Sequence, residues 1–416
     1  MQRRKHVVFS LLILFMGLLL AWRILVTGLG DHYTRKARLG DAQAVDSALL
    51  WNGNQPRALY LKGRLLMETD PQKAIDLLRR AIVLNPGDAE PMQVLANLLL
   101  QSGKPDQADS LMVLAIERMP ANKDVRFRAA DYWMARGDLD KAVQNWAAVL
   151  ELDSDQGKRI YPLLANLAEN PATRGVLNRL LQSPPSWWNG FFAYLAKHAE
   201  RLETVVRIAT LRHASKTPLS DEERAMLVER LQKEQQWPEA YLVWINGLSQ
   251  KQRRYLGSVF DGGFELPPGN GGFFWYFPEH KSLIVRRKHT YGGEGEKSLH
   301  ILYRGQPTPR QQVYQYLLLG KGRYVLQLRQ RVDRLRISGG LRWVVRCAGE
   351  NDRLLGAVLP LVGASDWEMQ QATFEVPDAA DCRGQVLRLE ISDGGDEYPL
   401  VEGEVWFDRI SIRKMS

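Results

Sequence analysis

Over residues 55–154 one unit recurs three times at a spacing of 34. Ala74, Ala108 and Ala142 are in phase, as are Ala81, Ala115 and Val149, and Pro86, Pro120 and Ser154. Gly103 matches Gly137, and Ala96 matches Ala130. Small side chains at fixed positions let two helices approach closely. A glycine ends the first helix of a unit without a Cβ penalty. A proline stops the second helix before the next unit. Gly63 lies one residue closer to Ala74 than Ala96 does to Ala108, which predicts a shorter turn at Thr69-Asp70-Pro71.

This pattern resembles the tetratricopeptide repeat, a helix–turn–helix of the same period. The resemblance implies an α-solenoid whose stacked hairpins leave a concave groove for another protein. First-helix positions implied to line it are Tyr60 and Arg64, Gln93 and Asn97, and Phe127 and Asp131. Tyr60 and Phe127 equally fit packing between units.

The chain has 416 residues, enough for several domains, and its net charge of +9 is modest for that length. Beyond the N-terminus no Lys/Arg block is dense enough to argue for nucleic acid. Arg3, Arg4 and Lys5 precede an apolar run from Val7 to Trp22, which Ile24-Leu25-Val26 extends past Arg23. A spanning helix needs about 20 residues. Residues 7–29 suffice if Arg23 snorkels beside Trp22. A cleaved signal peptide is the rival reading, but Ala21-Trp22-Arg23 is a poor cleavage site. Residues 1–30 are therefore read as an inner-membrane anchor, with the basic head cytoplasmic and the bulk periplasmic.

Residues 31–154 form the repeat array and 155–256 are read as diverged helical repeats. Ile160–Leu167, Val176–Leu181, Phe191–Leu195 and Leu202–Leu211 carry apolar residues at helical spacing. Ser220 and Glu223 have the spacing of a capping box. Trp187 and Trp188 either face a partner or pack where the array turns.

From residue 257 to 416 glycine becomes frequent and short alternating runs take over. Leu299–Tyr303, Tyr314–Leu318, Tyr324–Val332, Leu341–Cys347, Thr373–Val376, Val386–Ile391 and Val405–Ile412 read as strands. Gly320-Lys321-Gly322, Ser338-Gly339-Gly340 and Ser392-Asp393-Gly394-Gly395 read as turns. Such spacing implies an antiparallel β-sandwich. Strand parity puts Gln327, Arg329 and Arg331 on one face, either solvated or suited to an acidic glycan. Cys347 and Cys382 suit a disulfide in an oxidising compartment or two buried thiols.

Several segments resemble the jelly-roll carbohydrate-binding modules appended to xylanases, of the galactose-binding-like group. They are Asp261-Gly262-Gly263-Phe264-Glu265 as first strand, Trp275, Gly295 to Ile301, Val313 to Leu317 with Gly322 to Leu326, Trp367, Phe374 to Pro377, and Trp406 to Ile412. The resemblance implies that Glu265 and Asp408 meet where the first and last strands join. Two hard oxygen ligands there suit a structural Ca²⁺; a hydrogen-bonded carboxylate pair without metal is the alternative. Aromatic rings that could stack on sugar are Trp275, Tyr276, Tyr291 and Trp367, while Trp343 shares parity with core residues.

Active-site motifs are missing. Tyr291-Gly292-Gly293-Glu294-Gly295-Glu296-Lys297-Ser298 lacks the glycine that a phosphate loop has before its lysine. There is no Gly-x-Ser-x-Gly elbow, and the histidines form no ligand pair at helical spacing. The expected protein is multidomain α + β: a transmembrane helix, an α-solenoid and a β-sandwich. The expected function is a non-catalytic envelope scaffold, an accessory of bacterial exopolysaccharide synthesis or export. It would need no cofactor, and its partners would be protein, membrane and polysaccharide. A pure protein scaffold is the alternative, and a glycan-active enzyme a third.

Overall fold

The computed structural model describes residues 2–269, 271–349, 351–392 and 398–415, with side chains from Leu12 onward. The chain divides into two compact units, 1–177 and 178–416.

The first unit opens with α1, Gln2–Arg38. Its segment Leu12–Arg38 is long and apolar enough to cross a membrane. Leu12, Phe15, Leu18, Trp22 and Ile24 are all exposed. After α2 (Gln43–Trp51) come three hairpins: α3 (Pro56–Leu66) with α4 (Pro71–Leu84), α5 (Ala89–Gln101) with α6 (Pro105–Arg118), and α7 (Lys123–Arg136) with α8 (Leu139–Leu152). Local chemistry starts these helices. Pro56, Pro71 and Pro105 sit in first turns, where no amide hydrogen bond is lost. Asp70, Asp88, Asn122 and Asp138 accept hydrogen bonds from first-turn amides. Gly137 caps α7 in the left-handed region at φ 76°.

Ala74, Ala81, Ala108, Ala115 and Ala142 are wholly buried, so the in-phase small residues are where the helices touch. The short first copy departs from expectation. Its missing residue comes out of the helix, because α3 stops at Leu66 and the link 67–70 is longer than the link 102–104. Helix α9 (Gly157–Glu169) follows in this unit.

The second unit begins with α10 (Asn178–Gln182), α11 (Trp188–His198), α12 (Leu202–His213), α13 (Asp221–Lys233), α14 (Trp237–Asn246) and α15 (Gln250–Arg253). Segment 155–256 is thus divided, with α10–α15 sharing a unit with the sandwich. Aromatic packing is the reason. Trp244 of α14 meets Phe260, Phe273 and Phe274 at ring separations of 5.1, 5.4 and 5.4 Å. Ser220 and Glu223 form both bonds of the capping box. Glu223 also receives Arg212 at 3.0 Å and the Trp188 indole N–H at 2.7 Å, all buried. Trp187 and Trp188 are buried packing residues.

Among the described residues the strands that follow are β1 (Leu283–Lys288), β2 (Ser298–Pro307), β3 (Gln311–Leu317), β4 (Gly322–Ile337), β5 (Leu341–Cys347), β6 (Leu354–Ala357), β7 (Gly363–Val376), β8 (Gln385–Ile391) and β9 (Leu400–Lys414). They form antiparallel sheets ordered β1-β2-β9-β4-β7 and β3-β8-β5-β6. Inward-facing Leu299, Ile301, Leu326, Leu328, Trp343, Leu387, Leu389 and Phe407 fill the core between them. Cys347 and Cys382 are disulfide-bonded, tying the end of β5 to the turn before β8.

The expected first strand is corrected. Residues 261–265 are a turn and irregular segment, with Asp261 and Phe264 at positive φ. Gly262 lies so close to β9 that a Cβ would fall 1.9 Å from the Ile410 carbonyl oxygen. Two of the edge strands, β1 and β6, escaped the pattern because β1 ends Arg-Arg-Lys and β6 is four residues long. The turn expected at 393–395 lies outside the described residues.

Candidate functional site

In the first unit, Tyr60, Arg64, Gln93, Asn97 and Asp131 converge on a concavity of about 420 Å³, joined by Arg128 and Tyr132. Tyr60 and Gln93 are buried and form its floor, while Arg64, Asn97, Arg128 and Asp131 are exposed. The Gln93 amide donates to the Val125 carbonyl at 2.7 Å. Arg57 ties the floor together, 2.7 Å from Glu90 and 4.7 Å over the Tyr60 ring. Burial pushes the Asp131 carboxyl above its usual value, with the Arg159 charge opposing. Phe127 stands apart: it is buried, with the Arg159 guanidinium 3.6 Å over its ring. A flat floor with amide and guanidinium groups at the rim suits an extended peptide, whose main chain needs both donors and acceptors.

The second unit carries a cleft of about 730 Å³ against the outer face of sheet β3-β8-β5-β6. Trp237, Tyr276, Tyr314 and Tyr316 supply rings; Glu229, Lys233, Gln311, Asp352 and Arg388 supply polar groups. Tyr276 and Tyr314 stack at 4.5 Å, held by two backbone hydrogen bonds between them. Trp237 lies 5.5 Å from Tyr316. Arg388 donates to Asp352 at 2.9 Å and to Glu390 at 3.2 Å, and Arg346 adds a bond to Glu390 at 3.0 Å. Burial alone would raise Glu390, but the Arg346 hydrogen bond and charge, with Arg388, hold its carboxyl below the usual range. Burial lifts the Glu229 carboxyl and pushes the Tyr314 hydroxyl up to about 12. Clustered rings beside fixed donors and acceptors are what stacking on a sugar ring and bonding its hydroxyls require.

Of the aromatic residues expected to meet sugar, Tyr276 alone lines this cleft. Trp275 is corrected to a core residue: it packs against Phe264 and Trp343, and its indole N–H donates to the Asp261 carbonyl. Tyr291 and Trp367 belong to the other sheet's surroundings, where the Trp367 indole donates to the Tyr291 carbonyl at 3.0 Å. Tyr314 and Tyr316 were legible as a Tyr-x-Tyr pair alternating with Val313 and Leu317. Trp237 and Arg388 reach the cleft only through tertiary packing.

Glu265 and Asp408 do meet one element, the loop 293–297. Glu265 accepts from the Glu296 and Lys297 amides at 2.9 and 3.3 Å, and Asp408 from the Glu294 amide at 2.7 Å. Ca²⁺ takes 6–8 oxygens. Here N–H donors crowd the carboxylates, and Glu294 between them is bound by Arg329 and Arg409 at 3.0 and 2.6 Å. No cluster of three His, Cys, Asp or Glu able to hold a metal occurs among the described residues. The donor set fits loop anchoring and does not fit a divalent cation.

Burial pushes the Asp261 carboxyl up to about 6, although it accepts the Glu265 and Leu266 amides. Asp408 is raised by the same cause. A raised carboxyl binds its proton more tightly when folded. Its stabilisation is complete below the unfolded value and is lost as pH rises through about 6. The melting temperature of the second unit is therefore expected to rise between pH 7 and about pH 5, and Asp261→Asn to flatten that rise. Calorimetry at the two pH values checks this; a flat wild-type profile would contradict it.

Residues 65–114 match the family model of the tetratricopeptide repeat. Interferon-induced protein with tetratricopeptide repeats 3 of Mus musculus is 31% identical over 81 residues, covering 20% of this chain and only 20% of that protein. A crystal structure of MamA is 24% identical over 32% of this chain and 79% of its own, with a TM-score of 0.26. A carbohydrate-binding module of family CBM4 is 18% identical over 38% of this chain and all of its own, with a TM-score of 0.29.

Proposed function

We propose that this chain is a membrane-anchored, non-catalytic scaffold of a bacterial envelope, acting in exopolysaccharide synthesis or export. The repeat array recruits a partner polypeptide, and the sandwich handles glycan in the Tyr276–Tyr314 cleft. One observation carries the reading: five residues from three successive hairpins converge on a single concavity. In this reading helix α1, long and apolar enough to span, is the anchor, and the Cys347–Cys382 bond supports an oxidising compartment, the periplasm, for the bulk of the chain.

A photoreactive side chain in place of Asn97 is expected to give a discrete envelope-protein adduct in cells. Arg64→Glu with Arg128→Glu should weaken it by about tenfold, the worth of one charge-assisted contact. An undiminished adduct would reject the groove as the binding surface. For the cleft, retardation of the full-length protein by neutral polysaccharides in native gels should fall for Tyr314→Ala.

A further inference from the structure

The outer face of the five-stranded sheet carries a row of residues across four strands. Arg286 of β1 pairs with His300 of β2, His300 with Trp406 of β9, and Trp406 with Arg331 of β4. With strands about 4.8 Å apart, the row spans roughly 14 Å. Trp406 is only 7% exposed, because cations and the imidazole cover it. Arg331 lies 5.0 Å and Lys288 5.9 Å from its ring centre, and His300 stacks on it at 4.8 Å. The indole is thus a base plate that fixes cations in place.

Arg286, Lys288 and Arg331 have no carboxylate partner among the described residues. Of the carboxylates nearby, Glu404 shares a hydrogen bond of 2.6 Å with His300, whose burial holds its pKa below the usual value, so the carboxylate keeps its charge, and Glu294 is paired with Arg329 and Arg409. Arg286, Lys288 and Arg331 outnumber the Glu404 carboxylate, so the row is net positive. Beside it the Tyr291 ring is 91% exposed, its carbonyl held by Trp367, whose ring Arg329 covers at 5.2 Å.

We propose that this face binds a linear polyuronate, a polysaccharide with carboxylates repeated along its chain. The cations stand at the two ends of the row, Arg286 and Lys288 on β1 and Arg331 on β4, too spread for one small anion to satisfy but matched to charges repeated on an extended polymer. Guanidinium groups pair with carboxylates bidentately, and the exposed Tyr291 ring offers a sugar a stacking surface. This face lies on the sheet opposite the Tyr314 cleft. It rests on the glycan reading of the sandwich only for the choice of polymer.

The test is native-gel affinity electrophoresis of the full-length protein in neutral detergent, through polygalacturonate, dextran or single-stranded DNA. Polygalacturonate should retard the wild type. Arg331→Glu and Lys288→Gln with Arg286→Gln should each weaken that retardation by about tenfold, with unchanged melting temperature. Tyr314→Ala should leave it intact and alter only retardation by neutral glycan, so the two surfaces fail separately. Unchanged retardation of the charge variants overturns the proposal. So does equal retardation by single-stranded DNA, which marks a general polyanion effect, or loss of polygalacturonate retardation in Tyr314→Ala, which places the polymer in the cleft.

Discussion

Glu223→Ala is expected to lower the stability of the second unit by about 3–5 kcal/mol, the cost of leaving a buried charge unpaired. Glu223 is 1% and Arg212 2% exposed. The carboxylate holds the guanidinium through two bonds of 3.0 Å, accepts the Trp188 indole N–H and completes the capping box with Ser220. Truncation leaves Arg212 with the Leu181, Thr217 and Pro218 carbonyls and two hydroxyls but no counter-charge. A buried cation without a counter-charge is costly because water is not there to solvate it. The measurement is the urea midpoint of the full chain by tryptophan fluorescence. Glu223→Gln keeps the volume and one acceptor, and should lose less. A loss under about 1 kcal/mol for the alanine variant would mean that water reaches Arg212 and the pair is not sealed.

Removing the Cys347–Cys382 bond should cost about 3–4 kcal/mol, from the closure entropy of its loop. The two cysteines are 35 residues apart, and both are buried. The bond closes β6 and β7 between its ends, so its loss frees the edges of both sheets. Comparing denaturation with and without reductant, and with Cys382→Ser, reads the effect. Identical midpoints would show that packing around β5 and β8 holds this end unaided. Either loss is a large part of the roughly 5–15 kcal/mol that stabilises an ordinary domain.

Repeats and parity were legible. In-phase Ala74, Ala108 and Ala142 marked helix contacts, because close approach admits only small side chains. Alternation on β4 separated buried Leu326 and Leu328 from outward Gln327 and Arg329. Groove positions followed from repeat phase, except Phe127: the phase gives a helix face, while Arg159, from a later helix, covers that ring.

What the chain alone determined, then, is local and periodic: the helical hairpins of the repeat array, the capping box at Ser220, seven strands of the β-sandwich and an apolar helix long enough for a membrane. These depend on residues a few positions apart, so short-range pattern carries them. Tertiary structure decided what depends on distant partners. It buried Trp275 against Trp343, brought Trp237 and Arg388 to one cleft, and turned Glu265 and Asp408 toward the amides of one loop. It also left Arg286, Lys288 and Arg331 on one sheet face in excess of the Glu404 carboxylate beside them. Side chains far apart along the chain, Trp237 and Arg388 among them, meet only through strand order and helix packing, and no local pattern encodes which of them will touch.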